Sequence, residues 1–323
     1  MHAIQISEHG SADVMGWVEL DAPTARTGQV VVELGAAGLN FIDTYQRSGL
    51  YKVPLPYVLG LEGAGTVVEV GDGVDHLAVG DRVAWAAAPG SYAERVAVPA
   101  AQAMPVPDGI GWDVAAAIPL QGMTAHYLAV DTYPLGQGDA CLIHAGAGGV
   151  GLLLIQIAKL RGAEVYTTVG TPEKAELATA AGADHTILNR DVDFVDAIRD
   201  IAGSERPLDV VYDGVGKSVF TPSLGLIRPR GMMVTFGNAS GPVDPVSPLD
   251  LSANGSIFLT RPTLGHYTSS PDELRRRADD LFGWHADGSL DVRIGQRFAL
   301  ADAADAHRAL EGRATTGKVV LVP

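Results

Sequence analysis

The stretch Asp139–Thr171, DACLIHAGAGGVGLLLIQIAKLRGAEVYTTVGT, decides how the rest of the chain is read. Ala140 to Ala145 is a short apolar run suited to a buried parallel strand, and Gly146, Gly148 and Gly151 follow as G-x-G-x-x-G. Val150 to Leu160 reads as a helix, and Glu164 to Val169 as a second, β-branched strand. The glycines then have separate tasks. Gly146 permits a tight turn, Gly148 permits close backbone approach to a pyrophosphate, and Gly151 permits helix-on-strand packing. A dinucleotide phosphate would lie at the helix N-terminus, where unpaired N–H groups and the helix dipole favour negative charge. A lone glycine motif is weak evidence; this one sits between a strand and a helix, within a βαβ unit of ~30 residues.

The end of the second strand bears on which nucleotide. An NAD-selecting fold places Asp or Glu there to hold the ribose 2′-OH. Here the chain reads Thr168-Val169-Gly170-Thr171, with Lys174 following in the next helical segment. Small neutral residues with a nearby cation suit a 2′-phosphate, which favours NADPH. Lys174 alone could equally be a solvated helix lysine. Arg190, after the next predicted strand His185 to Leu188, is a second candidate phosphate ligand because a guanidinium pairs with phosphate in bidentate fashion.

Outward from this unit, strands and helices keep alternating to about Thr260, which calls for a parallel sheet covered on both faces. Expected helices are Pro172 to Ala181, Val192 to Ile201 and Ser218 to Ile227; expected strands are Asp209 to Tyr212, Met232 to Phe236 and Ile257 to Thr260. Loops at the carboxyl ends of such strands face the cofactor, which marks Asp213, Phe236, Gly237, Asn238 and Thr260. Residues up to about Gln102 read instead as short strands with Gly-Asp turns, a compact β-rich region. Pro105, Pro107 and Pro119 are expected to break the chain, with helical pieces at Asp113 to Ile118 and Thr124 to Val130. The tail, with a charged helix from Asp272 to Trp284, a short strand near Asp291 to Ile294, a helix from Ala301 to Glu311 and a strand Lys318 to Val322, is expected to return to the first region.

Composition sets bounds on function. The 323 residues accommodate two domains, and 47% hydrophobic with 19% charged residues supports sizeable cores. A net charge of −15 repels nucleic acid and anionic membranes, so cofactor phosphates need local dipoles and a few cations. The amino terminus enters a strand without signal-peptide character, and no apolar run is long enough for a bilayer, so a cytoplasmic location without membrane contact is expected. One cysteine, Cys141, leaves neither an internal disulfide nor a multi-cysteine zinc site.

The ordered series Asn40-Phe41-Ile42-Asp43-Thr44-Tyr45, Leu59-Gly60-Leu61-Glu62-Gly63-Ala64-Gly65, Gly80-Asp81-Arg82-Val83, Gly122-Met123-Thr124-Ala125, the glycine loop, Tyr212-Asp213-Gly214-Val215-Gly216 and Phe236-Gly237-Asn238 resembles the zinc-independent quinone oxidoreductases of the medium-chain dehydrogenase/reductase superfamily. The resemblance implies an α/β fold: a Rossmann doubly wound parallel sheet over residues 123–264, plus a β-rich GroES-like domain made of 1–122 and 265–323. It also implies an NADPH-filled cleft and a homodimer. Asn40 and Leu61 stand where zinc-bearing cousins carry Cys and His, so no metal is expected.

By the same resemblance Asn40, Tyr45 and Thr124 line the pocket around the reactive ring, and Gly148, Gly149, Val150, Gly170, Thr171 and Lys174 contact adenosine and phosphates. Gln121 departs from the lysine of several relatives, and Arg190 from a tyrosine. Without a Lewis acid, the Asn40 amide and the Tyr45 hydroxyl are the candidate donors to the acceptor oxygen. Quinones, or other activated carbonyl acceptors, suit such a site. The expected activity is therefore quinone reduction; the alternatives are reduction of enone or alkenal double bonds, or a non-catalytic, crystallin-like nucleotide binder. Asp43, Glu62 and Asp81 are expected to fix local backbone or to pair with a cation such as Arg47 or Arg82, and His126 and His144 to be satisfied structural histidines.

Overall fold

All five residues of Ala140–His144 are buried, as an apolar run needs to be when both faces of its sheet are covered. The computed structural model describes residues 1–323. Its first part carries strands β1 (His2–Ile6), β2 (Gly16–Glu19), β3 (Gln29–Leu39), β4 (Tyr57–Val58), β5 (Glu62–Val70), β6 (Arg82–Trp85), β7 (Arg95–Pro99) and β8 (Met104–Pro105). Helices α1 (Phe41–Ser48), α2 (Trp112–Ala115) and α3 (Pro119–Tyr127) accompany them. Then come β9 (Ala140–His144), α4 (Gly149–Leu160), β10 (Glu164–Val169), α5 (Pro172–Ala180), β11 (His185–Leu188), α6 (Phe194–Ala202) and β12 (Leu208–Asp213). The alternation ends with α7 (Phe220–Leu224), β13 (Ile227–Thr235), α8 (Pro248–Ala253), β14 (Phe258–Thr260) and α9 (Leu264–Tyr267). Helix α10 (Pro271–Ala286), β15 (Ile294–Ala299), α11 (Ala303–Glu311) and β16 (Lys318–Val322) complete the chain.

The chain divides into two units. The first contains Met1–Met123, Thr268–Ala286 and Val292–Pro323; the second contains Thr124–Tyr267 and Asp287–Asp291. In the second, six strands run in the order β11-β10-β9-β12-β13-β14. Every pairing is parallel. The order reverses between β9 and β12, and such a reversal opens a crevice at the carboxyl ends of the strands. Leu142, Tyr166, Ile187, Val211 and Met233 supply one continuous core across these strands.

The first unit is built on β3, whose eleven residues pair with β5, β7 and β16. The sheet order is β15-β16-β3-β5-β6-β8, so β16 lies inside the sheet, parallel to β15 and antiparallel to β3. Val319 and Leu321 join Val30, Val32, Leu39 and Trp85 in the core of this unit. A small second sheet, β2-β1-β4, carries the amino terminus.

The helix expected at Ser218 to Ile227 shortens to Phe220–Leu224, Ile227 opening β13, and that expected at Thr124 to Val130 runs from Pro119 to Tyr127. Pro119 opens α3 instead of breaking the chain, because a proline in the first helical turn gives up an N–H that has no intrahelical partner anyway. The strand expected at Asp291 to Ile294 starts at Ile294 and runs to Ala299, its register fixed by pairing with β16.

Candidate active site

The turn after β9 shows why each glycine is there. A Cβ on Gly146 would stand 2.0 Å from Thr167 Oγ1, and that hydroxyl is pinned by donating to the Ile143 carbonyl at 2.7 Å. A Cβ on Gly151 would stand 2.5 Å from the Ala145 carbonyl oxygen. Both are therefore required by packing of α4 on its strand. Gly148 differs: its Cβ would meet no side chain and only the Ala145 oxygen, at 3.2 Å, a milder contact than either of the other two. Gly148 is also the N-cap of α4 and contributes no side-chain cap. The N–H groups of the first turn, at half-exposed Gly149 and Val150, point to where an anion would be held.

At the end of β10, Gly170 and Thr171 lead into α5. Thr171 Oγ1 accepts from the Lys174 N–H at 3.3 Å, and Pro172 fills the first helical position. Arg190 reaches across this corner: a Cβ on Gly170 would lie 3.1 Å from its Nε. The corner thus holds an exposed guanidinium with half-buried Lys174 on the adjoining helix, and each cation has an exposed carboxylate next to it in sequence, Asp191 and Glu173.

The loops after β12, β13 and β14 interlock at the same edge. The Asp213 carboxylate accepts from the N–H groups of Val215 and Gly216, each at 2.8 Å, and burial pushes it up to about 6. Asp213 therefore shapes its own loop. Gly237 lies so close to Gly214 that a Cβ would stand 2.2 Å from the Gly214 oxygen, and Phe236 covers Gly214 with Cζ 3.0 Å from where a Cβ would be. The Gly241 N–H donates to the Asn238 carbonyl at 2.9 Å, and Arg261, next to half-buried Thr260, donates to the Gly237 carbonyl at 3.2 Å. His144 bonds Thr168 and Ser223, each at 2.9 Å, and burial holds it down to about 3, so it is neutral and satisfied.

In the first unit the site residues gather around α1. Asn40 is its N-cap and Asp43 completes a capping box, the Asp43 carboxylate accepting from the Asn40 N–H at 2.8 Å. Tyr45 is 8% exposed, its ring edge-on to Tyr51 with centroids 5.3 Å apart. Asn40 is 3% exposed, and its two amide hydrogens go to the Gly38 carbonyl at 3.2 Å and to Glu62 Oε2 at 2.7 Å. Its Oδ1 accepts from Gln121 Nε2 at 3.0 Å and from Lys318 Nζ at 2.9 Å. Glu62, fully buried, also accepts from the Leu120 N–H at 2.6 Å and pairs with Lys318. Gly38 makes room for this carboxylate, since a Cβ there would stand 2.3 Å from Glu62 Oε2. Burial lowers the Lys318 ammonium from its ordinary range, and Glu62 acts in the opposite sense.

Two domain models match: the alcohol dehydrogenase GroES-like domain over residues 26–108 and the zinc-binding dehydrogenase over residues 149–282. The quinone oxidoreductase of Pseudomonas aeruginosa is 45% identical over 322 residues, 99% of each chain. The chain belongs to the quinone oxidoreductases of the medium-chain dehydrogenase/reductase superfamily. Another member, quinone oxidoreductase 1 of Escherichia coli, is 42% identical over 99% of each chain. The solved Escherichia coli quinone oxidoreductase complexed with NADPH matches with a TM-score of 0.98 at 41% identity, covering 100% of both chains. A 2-haloacrylate reductase from Burkholderia sp is 40% identical over 99% of this chain and 98% of its own length.

Family membership sharpens three features. The zinc of the second domain model's description does not fit this donor set: no three His, Cys, Asp or Glu side chains converge, and a lysine ammonium lies against Asn40 and Glu62. Asn40, expected as a donor to the acceptor oxygen, has both amide hydrogens committed within the protein. Glu62 both fixes backbone, at the Leu120 N–H, and pairs with a cation, which is Lys318; Arg47 pairs with Glu311 at 2.7 Å, and Arg82 lies 4.3 Å over the Trp112 ring. The sequence places Lys318 only as the start of the last strand and does not mark it as a site residue. Its one signal is a lysine leading an otherwise apolar strand, Lys318-Val319-Val320-Leu321-Val322, directly after Gly317. Thr124, the remaining ring-side candidate, is 7% exposed on α3 and falls in the second unit.

Proposed function

We propose that this protein is an NADPH:quinone oxidoreductase that works without a metal. The observation that carries the reading is the α4 N-terminus, where packing demands Gly146 and Gly151 but leaves the face of Gly148 open. A glycine whose Cβ would meet no side chain and a single backbone oxygen, at 3.2 Å, leaves room for a ligand that comes close. The likeness to the Escherichia coli quinone oxidoreductase complexed with NADPH supports the same reading.

The residues fit the cofactor. Gly148, Gly149 and Val150 hold the pyrophosphate by backbone N–H groups, while Gly170, Thr171, Lys174 and Arg190 form the corner for the adenosine ribose and its 2′-phosphate. Phe236, Gly237, Asn238 and Thr260 border the remainder, with Asp213 fixing the loop that meets them. Bound NADPH supplies a hydride to the acceptor. Tyr45 donates a hydrogen bond to the acceptor oxygen, and Thr124 lines the ring side. Asn40 holds Glu62 and the start of α1 in place. Hydrogen-bond donors of this kind suffice for quinones, whose carbonyls are already activated.

Residues 1–122 with 265–323, and 123–264, act as the GroES-like and Rossmann domains. No helix is long and apolar enough to cross a membrane. We also propose a homodimer built on β14, an edge strand that exposes Phe258 at 60%. Sedimentation should then show Phe258→Asp as a monomer; a wild-type chain already sedimenting as one subunit ends this proposal.

NADPH oxidation measured with a naphthoquinone, a short enone and no acceptor tests the activity. The quinone should turn over fastest. Faster turnover with the enone would replace this reading by double-bond reduction, and NADPH binding with no turnover would leave a nucleotide binder.

A further inference from the structure

Lys318 is 2% exposed, and its ammonium is shared between Glu62 and the Asn40 Oδ1. A buried ion pair is a poor device for stability alone, because desolvating both charges offsets most of their attraction and an apolar pair of the same size usually serves as well. The surroundings are arranged for it nonetheless. Strand β3 carries Gly38 where the carboxylate passes, and Gln121 completes the coordination of Asn40 Oδ1. The Leu120 N–H takes the second carboxylate oxygen.

What the ion pair does is fix one side chain. Asn40 has its oxygen held by Lys318 and Gln121, its amide hydrogens by Gly38 and Glu62, and its backbone N–H by Asp43. Asn40 is the N-cap of α1, and Tyr45 lies on that eight-residue helix. The Asn40 side chain makes no hydrogen bond to the first turn, but its backbone does, the N–H donating to Asp43 and the carbonyl accepting from the Asp43 N–H at 3.1 Å, so fixing this residue fixes where the short helix that carries Tyr45 begins.

We propose that Lys318 is a positioning residue for quinone reduction: its ammonium, with Glu62, locks Asn40 and thereby holds the Tyr45 hydroxyl in register with the acceptor. This rests on the activity proposed above, with Tyr45 as donor. Lys318 touches neither cofactor nor acceptor in this role.

The test is the double variant Lys318→Met/Glu62→Gln, which removes both charges together and avoids stranding a carboxylate in the core. It should fold, as judged by a cooperative melt, and bind NADPH within twofold of wild type by fluorescence titration. Its kcat with a naphthoquinone should fall 10- to 100-fold, with KM for NADPH unchanged and faster amide hydrogen exchange at Thr44 and Tyr45. Should the variant prove insoluble, Gln121→Ala, which removes one of the two donors to Asn40 Oδ1, should give a smaller change of the same pattern. Wild-type kcat in a folded variant overturns the proposal, whatever the exchange rates. If the wild-type protein itself fails to reduce quinones, the activity reading falls; unchanged exchange at Thr44 and Tyr45 would then overturn the positioning role separately.

Discussion

Asp43 accepts from the Asn40 N–H and from the Tyr92 hydroxyl, both at 2.8 Å, and burial raises its carboxyl from its ordinary 3.8 to about 7. Between about pH 4 and pH 7 the folded chain holds this proton more tightly than the unfolded chain does. The stability it contributes is therefore complete below pH 4 and is lost as the pH rises through 7. His144, held down to about 3, acts in the opposite sense, losing its contribution as the pH falls below its ordinary 6.5. Comparing Asp43→Asn with wild type cancels the histidine term, since Asn keeps the acceptor oxygen but cannot ionise. On going from pH 5 to pH 8 the variant should gain on the order of 2 kcal/mol relative to wild type. Denaturant melts with parallel pH dependence would show that Asp43 is ionised throughout. At the cofactor corner, Arg190→Ala and Lys174→Ala should each weaken NADPH roughly tenfold, about 1.4 kcal/mol, and leave NADH almost untouched. Equal losses for both nucleotides would assign these cations to general electrostatics.

At the scale of elements, the glycine turn separates folding from binding. Gly146→Ala forces a Cβ onto the pinned Thr167 hydroxyl and should destabilise the protein by about 1–3 kcal/mol in denaturant melts. Gly148→Ala meets a single backbone oxygen, so its melt should stay within about 1 kcal/mol of wild type while NADPH binding weakens strongly. If both variants lose stability equally, the open face of Gly148 has a packing role after all. This turn was legible in the sequence because its determinants are local: strand, glycines and helix lie within one short segment. The same holds for the neutral end of β10 and for the parallel alternation, each read from neighbouring residues. The Asn40 network was not legible. Asn40 meets Glu62 across 22 residues and Lys318 across 278, and no local period encodes either contact. The sequence marks Asn40 as a candidate donor, but the partners of its amide hydrogens, Gly38 and Glu62, follow only from the pairing of β3 with β5.

For the molecule as a whole, the consequential feature is that β16 sits inside a sheet whose other strands, apart from β15, come from the first third of the chain. Chain termini are commonly dispensable, but this strand fills a gap between β15 and β3 and buries Val319, Val320 and Leu321. Deleting residues 318–323 should therefore abolish the soluble first unit, with proteolysis consuming residues 1–123 well before 124–267. Equal protease resistance of both segments would contradict this. The lysine at the head of β16 adds a further constraint. Side chains alternate between the two faces of a strand, so sliding β16 by one residue against β3 would send the ammonium to the wrong side and strand a carboxylate in the interior. Charge thus proofreads the strand alignment. During synthesis Glu62 emerges 256 residues ahead of its counter-ion, and it must stay hydrated or protonated until the closing strand arrives.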